Sequence, residues 1–192
     1  MKQAKILNLE EKKRMKKIIS TTRYPDRNQL IYSFSFGAGL RACEISALLV
    51  KDVLTSENEI KDTVYLDQWQ TKGNKRQSIV VSQRLQKEIQ QYFAKFPYLT
   101  KDREGRLFRT QSRKGFSSQT IQELFRNLYR DANIDNASSH SGRRQFITSL
   151  SENGTSVRII QALARHSNLA TTARYIDISN EKLRNAVDLV GI

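Results

Sequence analysis

Cysteine occurs once in this chain of 192 residues, so its own residues can build neither a disulfide framework nor a thiolate cage for zinc. That residue, Cys43, leads into the helical pattern "EISALLV" and reads as a small buried hydrophobe rather than a reactive thiol. Proline is nearly as scarce, with two in all, which argues against a flexible hinge. No apolar run approaches the length needed to cross a bilayer. The opening "MKQAKILNLEEKKRMKK" is charged where a signal peptide would be apolar, so a soluble, cytoplasmic protein and no membrane partner are expected. There is no Gly-x-x-x-x-Gly-Lys-Ser/Thr loop for a nucleotide. Histidine occurs twice, never as His-Glu-x-x-His and without acidic residues gathered nearby, so no metal and no cofactor is expected.

What is abundant is positive charge. Thirty-three lysines and arginines stand against nineteen acidic residues, a formal +14, in an otherwise ordinary globular composition. Such an excess attracts a polyanion, and nucleic acid is the usual one; a merely basic solvated surface is the alternative.

Periodicity gives a mainly α chain with a small antiparallel β-sheet. "LNLEEKKRMKKIIS" is an amphipathic helix capped by Asn8, with Glu11 three residues later and Leu9, Met15, Ile18 and Ile19 as its apolar members. "RNQLIYSFSFGAGL" is an apolar helix broken by Gly37 and Gly39, and "RACEISALLVKDV" restarts the period. "DTVYLDQW" and "RQSIVVS" are rich in β-branched and aromatic residues and are joined by "QTKGNK", a hairpin with Gly73-Asn74 in the turn. "SQRLQKEIQQYFAKF" is helical up to Pro97, and "GRLFRTQSRKGFS" is a short extended piece followed by a turn. Further helices follow in "SSQTIQELFRNLYRDANI", "SHSGRRQFITSLSENG", "TSVRIIQALARH" and "NEKLRNAVDLV".

Four clusters carry chemistry. In "GAGLRACEI", glycines deliver Arg41 to a helix start, where its guanidinium and the backbone N–H groups face an anion; Glu44, three residues on, shares that face and can orient it. A plain surface salt bridge is the other reading. In "TKGNK", Lys72 sits at the hairpin tip, where a long cation reaches into a groove, although lysines are common in turns. In "HSGRR", His140 and Arg143 share a face at a positive helix end, which is either a phosphate cradle or a histidine that simply caps and packs. Last, "LARHSNLATTARY" places His166 nine residues before Tyr175, a tyrosine that is either catalytic or core.

An arginine with a glutamate three later, a hairpin lysine, His-x-x-Arg, a histidine and then a tyrosine nine residues on: in this order, over nearly the whole chain, the sequence resembles the tyrosine recombinase (phage integrase) family. The likeness rests on "GLRACEI", "TKGNK", "HSGRRQF" and "LARHSNLATTARY". It implies the tyrosine recombinase catalytic-domain (DNA breaking-rejoining enzyme) fold. Residues 1–192 are then one catalytic domain, with a basic lead at 1–8 and a tail helix at about 179–192. No separate core-binding domain is expected, which makes the chain an excised catalytic domain or a single-domain member like the fimbrial-switch recombinases. Two departures stand out. The second box often reads Leu-Arg-His, and Gly142 and Arg144 flank the arginine here; the residue before the later histidine is commonly glycine, and here it is Arg165.

The implied reaction is site-specific strand cleavage and rejoining through a 3′-phosphotyrosyl intermediate, with no ATP and no metal. Tyr175 is the nucleophile. A phenol, with a reference pKa of about 10, needs help at neutral pH. Arg41 and Arg143 neutralise the non-bridging oxygens in the transition state. Lys72, with Lys75 as fallback, protonates the departing 5′-oxygen, His140 binds the phosphate or accepts the tyrosine proton, His166 adds a donor, and Glu44 supports Arg41. The implied partners are double-stranded DNA, accessory DNA-binding proteins and further copies of the chain. Leu183, Ala186, Val187 and Val190 form an apolar stripe that either docks on a neighbour in a homotetramer on two duplexes or packs on its own domain. A bacterial or phage-encoded cytoplasmic protein is expected. The rival readings are type IB topoisomerase-like relaxation, a DNA-binding relative without catalysis, and a two-histidine ribonuclease.

Overall fold

The computed structural model describes residues 3–111, 114–176 and 180–190. Packing divides the chain into two compact units, Met1–Phe146 and Ile147–Ile192. Within the first, α1 (Leu9–Thr21) opens with the capping box expected of Asn8 and Glu11: Asn8 Oδ1 accepts from the Glu11 N–H at 2.8 Å and Glu11 Oε2 accepts from the Asn8 N–H at 3.0 Å. Met15 and Ile19 are buried as their spacing requires, whereas Leu9, read as an apolar member, is 66% exposed. The buried face runs through Glu11, Met15 and Ile19, and Leu9, two residues before Glu11, lies about 200° round the helix from it and turns outward.

The second helix, α2 (Pro25–Ala38), continues straight through Gly37 and ends at Gly39, which takes the left-handed conformation at φ 63°. Only Gly39 breaks it. A Cβ there would come within 2.6 Å of the Phe146 ring, so both the backbone angle and the close approach require glycine. Two short helices follow, α3 (Ala42–Ala47) and α4 (Val50–Val53).

The sheet has two antiparallel strands, β1 (Thr63–Leu66) and β2 (Gln77–Val80), with Val64 opposite Ile79 and Tyr65 opposite Ser78. Val64, Leu66 and Ile79 face the core, while Tyr65 and Val80 face outward. The connection runs from 67 to 76 and is longer than the "QTKGNK" expected. A 3₁₀ turn at Gln68–Gln70 takes Trp69 out of the strand, and Asn74 rather than Gly73 carries the positive φ. A type I′ turn needs positive φ at both central residues, so this loop is of another kind.

Helices α5 (Gln83–Lys95) and α6 (Ser118–Asp131) are capped by Ser82 and Ser117. Each buries residues spaced four, three and one apart: Leu85, Ile89, Tyr92 and Phe93 on α5, then Ile121, Phe125, Leu128 and Tyr129 on α6. These stripes meet Phe34, Leu40, Ile45, Leu48 and Phe108 in one core. Each such side chain contributes roughly 1.5–3 kcal/mol on burial.

Helix α7 (Ser141–Glu152) runs across the boundary between the units. In the second unit, α8 (Val157–Ala164) is capped by Ser156, α9 (Leu169–Ala173) by Asn168, and α10 covers Asn180–Asp188. Leu183, Val187 and Val190 of the anticipated stripe are exposed at 53%, 71% and 67%, and Ala186 lies outside the described side chains. Among the described residues, no helix is long and apolar enough to cross a membrane and no group of side chains could hold a metal ion.

Candidate active site

Arg41 stands at the N-cap of α3 in extended backbone, two residues beyond the left-handed Gly39 that ends α2. Glu44 reaches back from the third helical position. Its Oε2 accepts from the Arg41 N–H at 2.9 Å and its Oε1 from Arg41 Nη1 at 2.6 Å. Glu44 is fully buried, and the Arg41 side chain is 25% exposed. This is no surface salt bridge: a buried carboxylate fixes the backbone and the guanidinium of one residue together.

Arg143, in the first turn of α7, is buried and donates from Nη1 to the Gly39 carbonyl at 2.8 Å. The segment from Gly39 to Glu44 therefore anchors both arginines. His140 sits just ahead of α7, where its carbonyl accepts from the Arg144 N–H at 2.9 Å and its own N–H donates to Ser138 Oγ at 3.3 Å. Desolvation by burial, then the charges of Lys72, Arg41 and Arg143, hold its pKa below the ordinary 6.5. Those shared electrostatics put the exposed Lys72, His140 and the two arginines in one cationic neighbourhood of the first unit.

His166 and Tyr175 belong to the second unit. Helix α8 ends in a Schellman-type turn: Arg165 adopts φ 56° and ψ 45°, and the His166 N–H donates to the Gln161 carbonyl at 3.1 Å. The left-handed angle explains why glycine suits the position before this histidine; arginine holds the same conformation here at a steric cost. Nδ1 of His166 lies 2.9 Å from the hydroxyl of Thr172, which is fully buried. The imidazole stacks on the Tyr175 ring with centroids 5.9 Å apart and planes 24° from parallel. Tyr175 is half-buried and follows α9 directly, its N–H donating to the Thr172 carbonyl at 3.0 Å.

Sequence reasoning missed three contributors. The Gly39 carbonyl has no side-chain signature. Thr172 was legible only as one of several hydroxyls in "NLATTARY". Gln70, 2% exposed within the loop that carries Lys72, stood only as the first residue of the connection "QTKGNK".

The phage integrase family model matches residues 6–182. The chain belongs to the phage integrase family. The chain is similar to the tyrosine recombinases XerA of Pyrococcus horikoshii and of Thermococcus kodakarensis. The first is 31% identical over 177 residues, covering 91% of this chain and 58% of the relative; the second is 32% identical, covering 95% and 61%. The chain thus spans about three fifths of the length of these relatives. Among solved structures, the crystal structure of XerA recombinase matches with a TM-score of 0.74 at 24% identity, covering 99% of this chain and 67% of that one. A Tn1549 transposon integrase in complex with circular intermediate DNA also gives 0.74, at 18% identity, with 100% and 68% covered. The mainly helical architecture with a two-stranded antiparallel sheet is the tyrosine recombinase catalytic-domain fold.

One departure of this chain from the usual second box now has a physical reason. A Cβ on Gly142 would come within 2.1 Å of Ser35 Oγ and 2.8 Å of the Phe36 ring. Helix α2 approaches the start of α7 so closely that a larger residue has no room. The other departure, Arg144, ties down the N-terminal lead through a hydrogen bond from Nη1 to the Ala4 carbonyl at 2.5 Å, next to Gln145, whose Oε1 accepts from the Leu7 N–H at 3.1 Å.

Proposed function

We propose that the chain is the catalytic domain of a site-specific DNA recombinase, which cleaves and rejoins strands of double-stranded DNA through a 3′-phosphotyrosyl intermediate. The observation that carries this reading is the cationic neighbourhood of Arg41, Lys72, His140 and Arg143, with Arg41 braced by buried Glu44 and Arg143 by the Gly39 carbonyl. Two fixed guanidiniums suit the charge that gathers on non-bridging phosphate oxygens in the transition state, because they need no rearrangement to meet it.

Tyr175 Oη attacks phosphorus, the bond from phosphorus to O5′ breaks, and Lys72 Nζ gives O5′ its proton. His140, kept neutral near pH 7 by its environment, accepts the phenol proton. His166, held at Nδ1 by the Thr172 hydroxyl, adds a further donor to a phosphate oxygen. Glu44 holds Arg41 and takes no part in bond making. The 5′-hydroxyl of a partner strand reverses the sequence, so the phosphodiester energy is kept and no cofactor takes part. The surplus of lysine and arginine supplies salt-dependent contacts to the DNA backbone. Residues 1–192 act as one catalytic domain in the cytoplasm. The exposed Leu183, Val187 and Val190 support docking of the tail on a neighbouring copy in a homotetramer on two duplexes, with accessory DNA-binding proteins as further partners.

A nicked suicide duplex tests the reading. The wild type accumulates a covalent protein–DNA adduct and joins two duplexes, whereas Tyr175→Phe binds DNA and forms no adduct. Plasmid relaxation by a lone monomer that never joins two duplexes would point instead to a type IB topoisomerase-like enzyme.

A further inference from the structure

We infer that Gln70 and Thr71 are positioning residues for the proton donor of the leaving group: they fix the loop from which Lys72 projects. This rests on the reading of Lys72 as general acid. A lysine ammonium sits on a flexible four-carbon stem, so the protein controls its reach chiefly by fixing the backbone at the base of that stem.

The loop spans residues 67–76, between the two strands, and its tip is solvent-exposed. Gln70 is the buried residue in it. Its side-chain amide uses all of its hydrogen-bonding groups. Oε1 accepts from the Asp67 N–H at 2.7 Å, closing the 3₁₀ turn, and Nε2 donates to the Ala47 carbonyl at 3.0 Å and to Asp52 Oδ2 at 2.6 Å. Asp52 is buried and also accepts from the Leu49 N–H at 2.8 Å. The amide therefore ties the loop to the end of α3, the helix whose first residues hold Arg41. Arg106 reinforces the tie: its Nη1 donates to the same Ala47 carbonyl at 2.7 Å while its guanidinium lies 4.9 Å from the Trp69 ring.

Next to Gln70, Thr71 closes the tip onto Lys75, on the far side of Lys72. Its hydroxyl donates to the Lys75 carbonyl at 2.8 Å and accepts from the Lys75 N–H at 3.2 Å, and its carbonyl accepts from the Asn74 N–H at 3.4 Å. Lys72 thus stands inside a small ring clamped by Thr71 and set on the core by Gln70. Such burial of a polar side chain, with every hydrogen bond matched, is a costly way to support a surface loop and fits a loop whose position matters.

The test uses two suicide duplexes that differ in one atom. In one, the scissile phosphate bridges to oxygen at the 5′ side; in the other it bridges to sulfur, which departs as a stable thiolate and needs no proton. Gln70→Glu keeps the acceptor for the Asp67 N–H but sets a carboxylate against Asp52 and the Ala47 carbonyl. Single-turnover cleavage by this variant is expected to slow at least about tenfold on the oxygen substrate and to stay near the wild-type rate on the sulfur substrate. Lys72→Ala is expected to show the same pattern with a loss of about 10²–10⁴ on oxygen. Cleavage of the sulfur substrate also proves that the variant is folded. Should Gln70→Glu fail to fold, Thr71→Val, a change in the exposed clamp, decides by the same comparison. If Lys72→Ala is equally slow on both substrates, the general-acid reading falls. If Lys72→Ala is rescued by sulfur while the Gln70 or Thr71 variant is slow on both substrates or on neither, the positioning inference is overturned.

Discussion

Replacing Glu44 tests how the arginine is held. The carboxylate is fully buried and takes two charge-assisted contacts from Arg41, at 2.6 and 2.9 Å. Loss of the ion-paired contact costs about 1.5–3 kcal/mol, discounted because the Arg41 side chain is one-quarter exposed. Loss of the bond to the Arg41 N–H removes a helix cap worth about 0.5–2 kcal/mol. Glu44→Ala is therefore expected to destabilise the protein by about 3–4 kcal/mol, within the range for breaking a buried pair. At roughly 2–4 °C per kcal/mol for a chain of this size, the midpoint falls by about 6–16 °C. Glu44→Gln, which keeps one acceptor, should lose about 1–2 kcal/mol and still fold. Urea denaturation followed by circular dichroism, with single-turnover cleavage measured alongside, checks both. Cleavage by Glu44→Gln should fall even at a temperature where it is fully folded. A Glu44→Ala variant within about 0.5 kcal/mol of wild type would refute the reasoning, since that is the effect of an ordinary surface change.

The lowered pKa of His140 makes a second prediction. Between its folded value and 6.5 the unfolded chain binds more protons, so stability falls as pH drops through that window. Imidazole NMR should find the His140 titration below 6.5 in the wild type and higher in Lys72→Ala; an unchanged midpoint in the variant would contradict the charge contribution. Gly142→Ala forces Ser35 and Phe36 aside and is expected to cost about 1–3 kcal/mol in urea denaturation, whereas a neutral effect would show that the interface between α2 and α7 yields readily. Leu183→Lys with Val187→Lys, both on exposed positions, should leave the melting curve within about 0.5 kcal/mol of wild type yet abolish the joining of two duplexes in a native gel.

How legible the molecule was follows from how far apart its partners lie along the chain. The cap of α1, the stripes of α5 and α6 and the pairing of Arg41 with Glu44 connect residues within two helical turns, and periodicity displays them. Leu9 was misjudged because the buried stripe of α1 begins at the charged Glu11, paired with Lys5 and Asn8, and Leu9 lies round the helix from it. Gly37 and Gly39 looked alike in sequence, and only the packing of Phe146 separates the one that must be glycine. Gln70 was invisible because its partners lie 18 and 23 residues away. The hairpin loop was drawn too short for the same reason: the tie to α3 sets a 3₁₀ turn at Gln68–Gln70, where the composition suggests the end of a strand. The outward stripe of α10 could be read as a stripe, but not whether its own unit covered it.

The central claim is that a phenol at position 175 becomes bonded to a DNA phosphorus. Trapping the adduct on a suicide duplex, digesting DNA and protein, and sequencing the nucleotide-bearing peptide by mass spectrometry tests it most directly. The account predicts a nucleotide linked through its 3′-phosphate to Tyr175. A modification on another residue, or cleaved DNA with no protein attached, would contradict it.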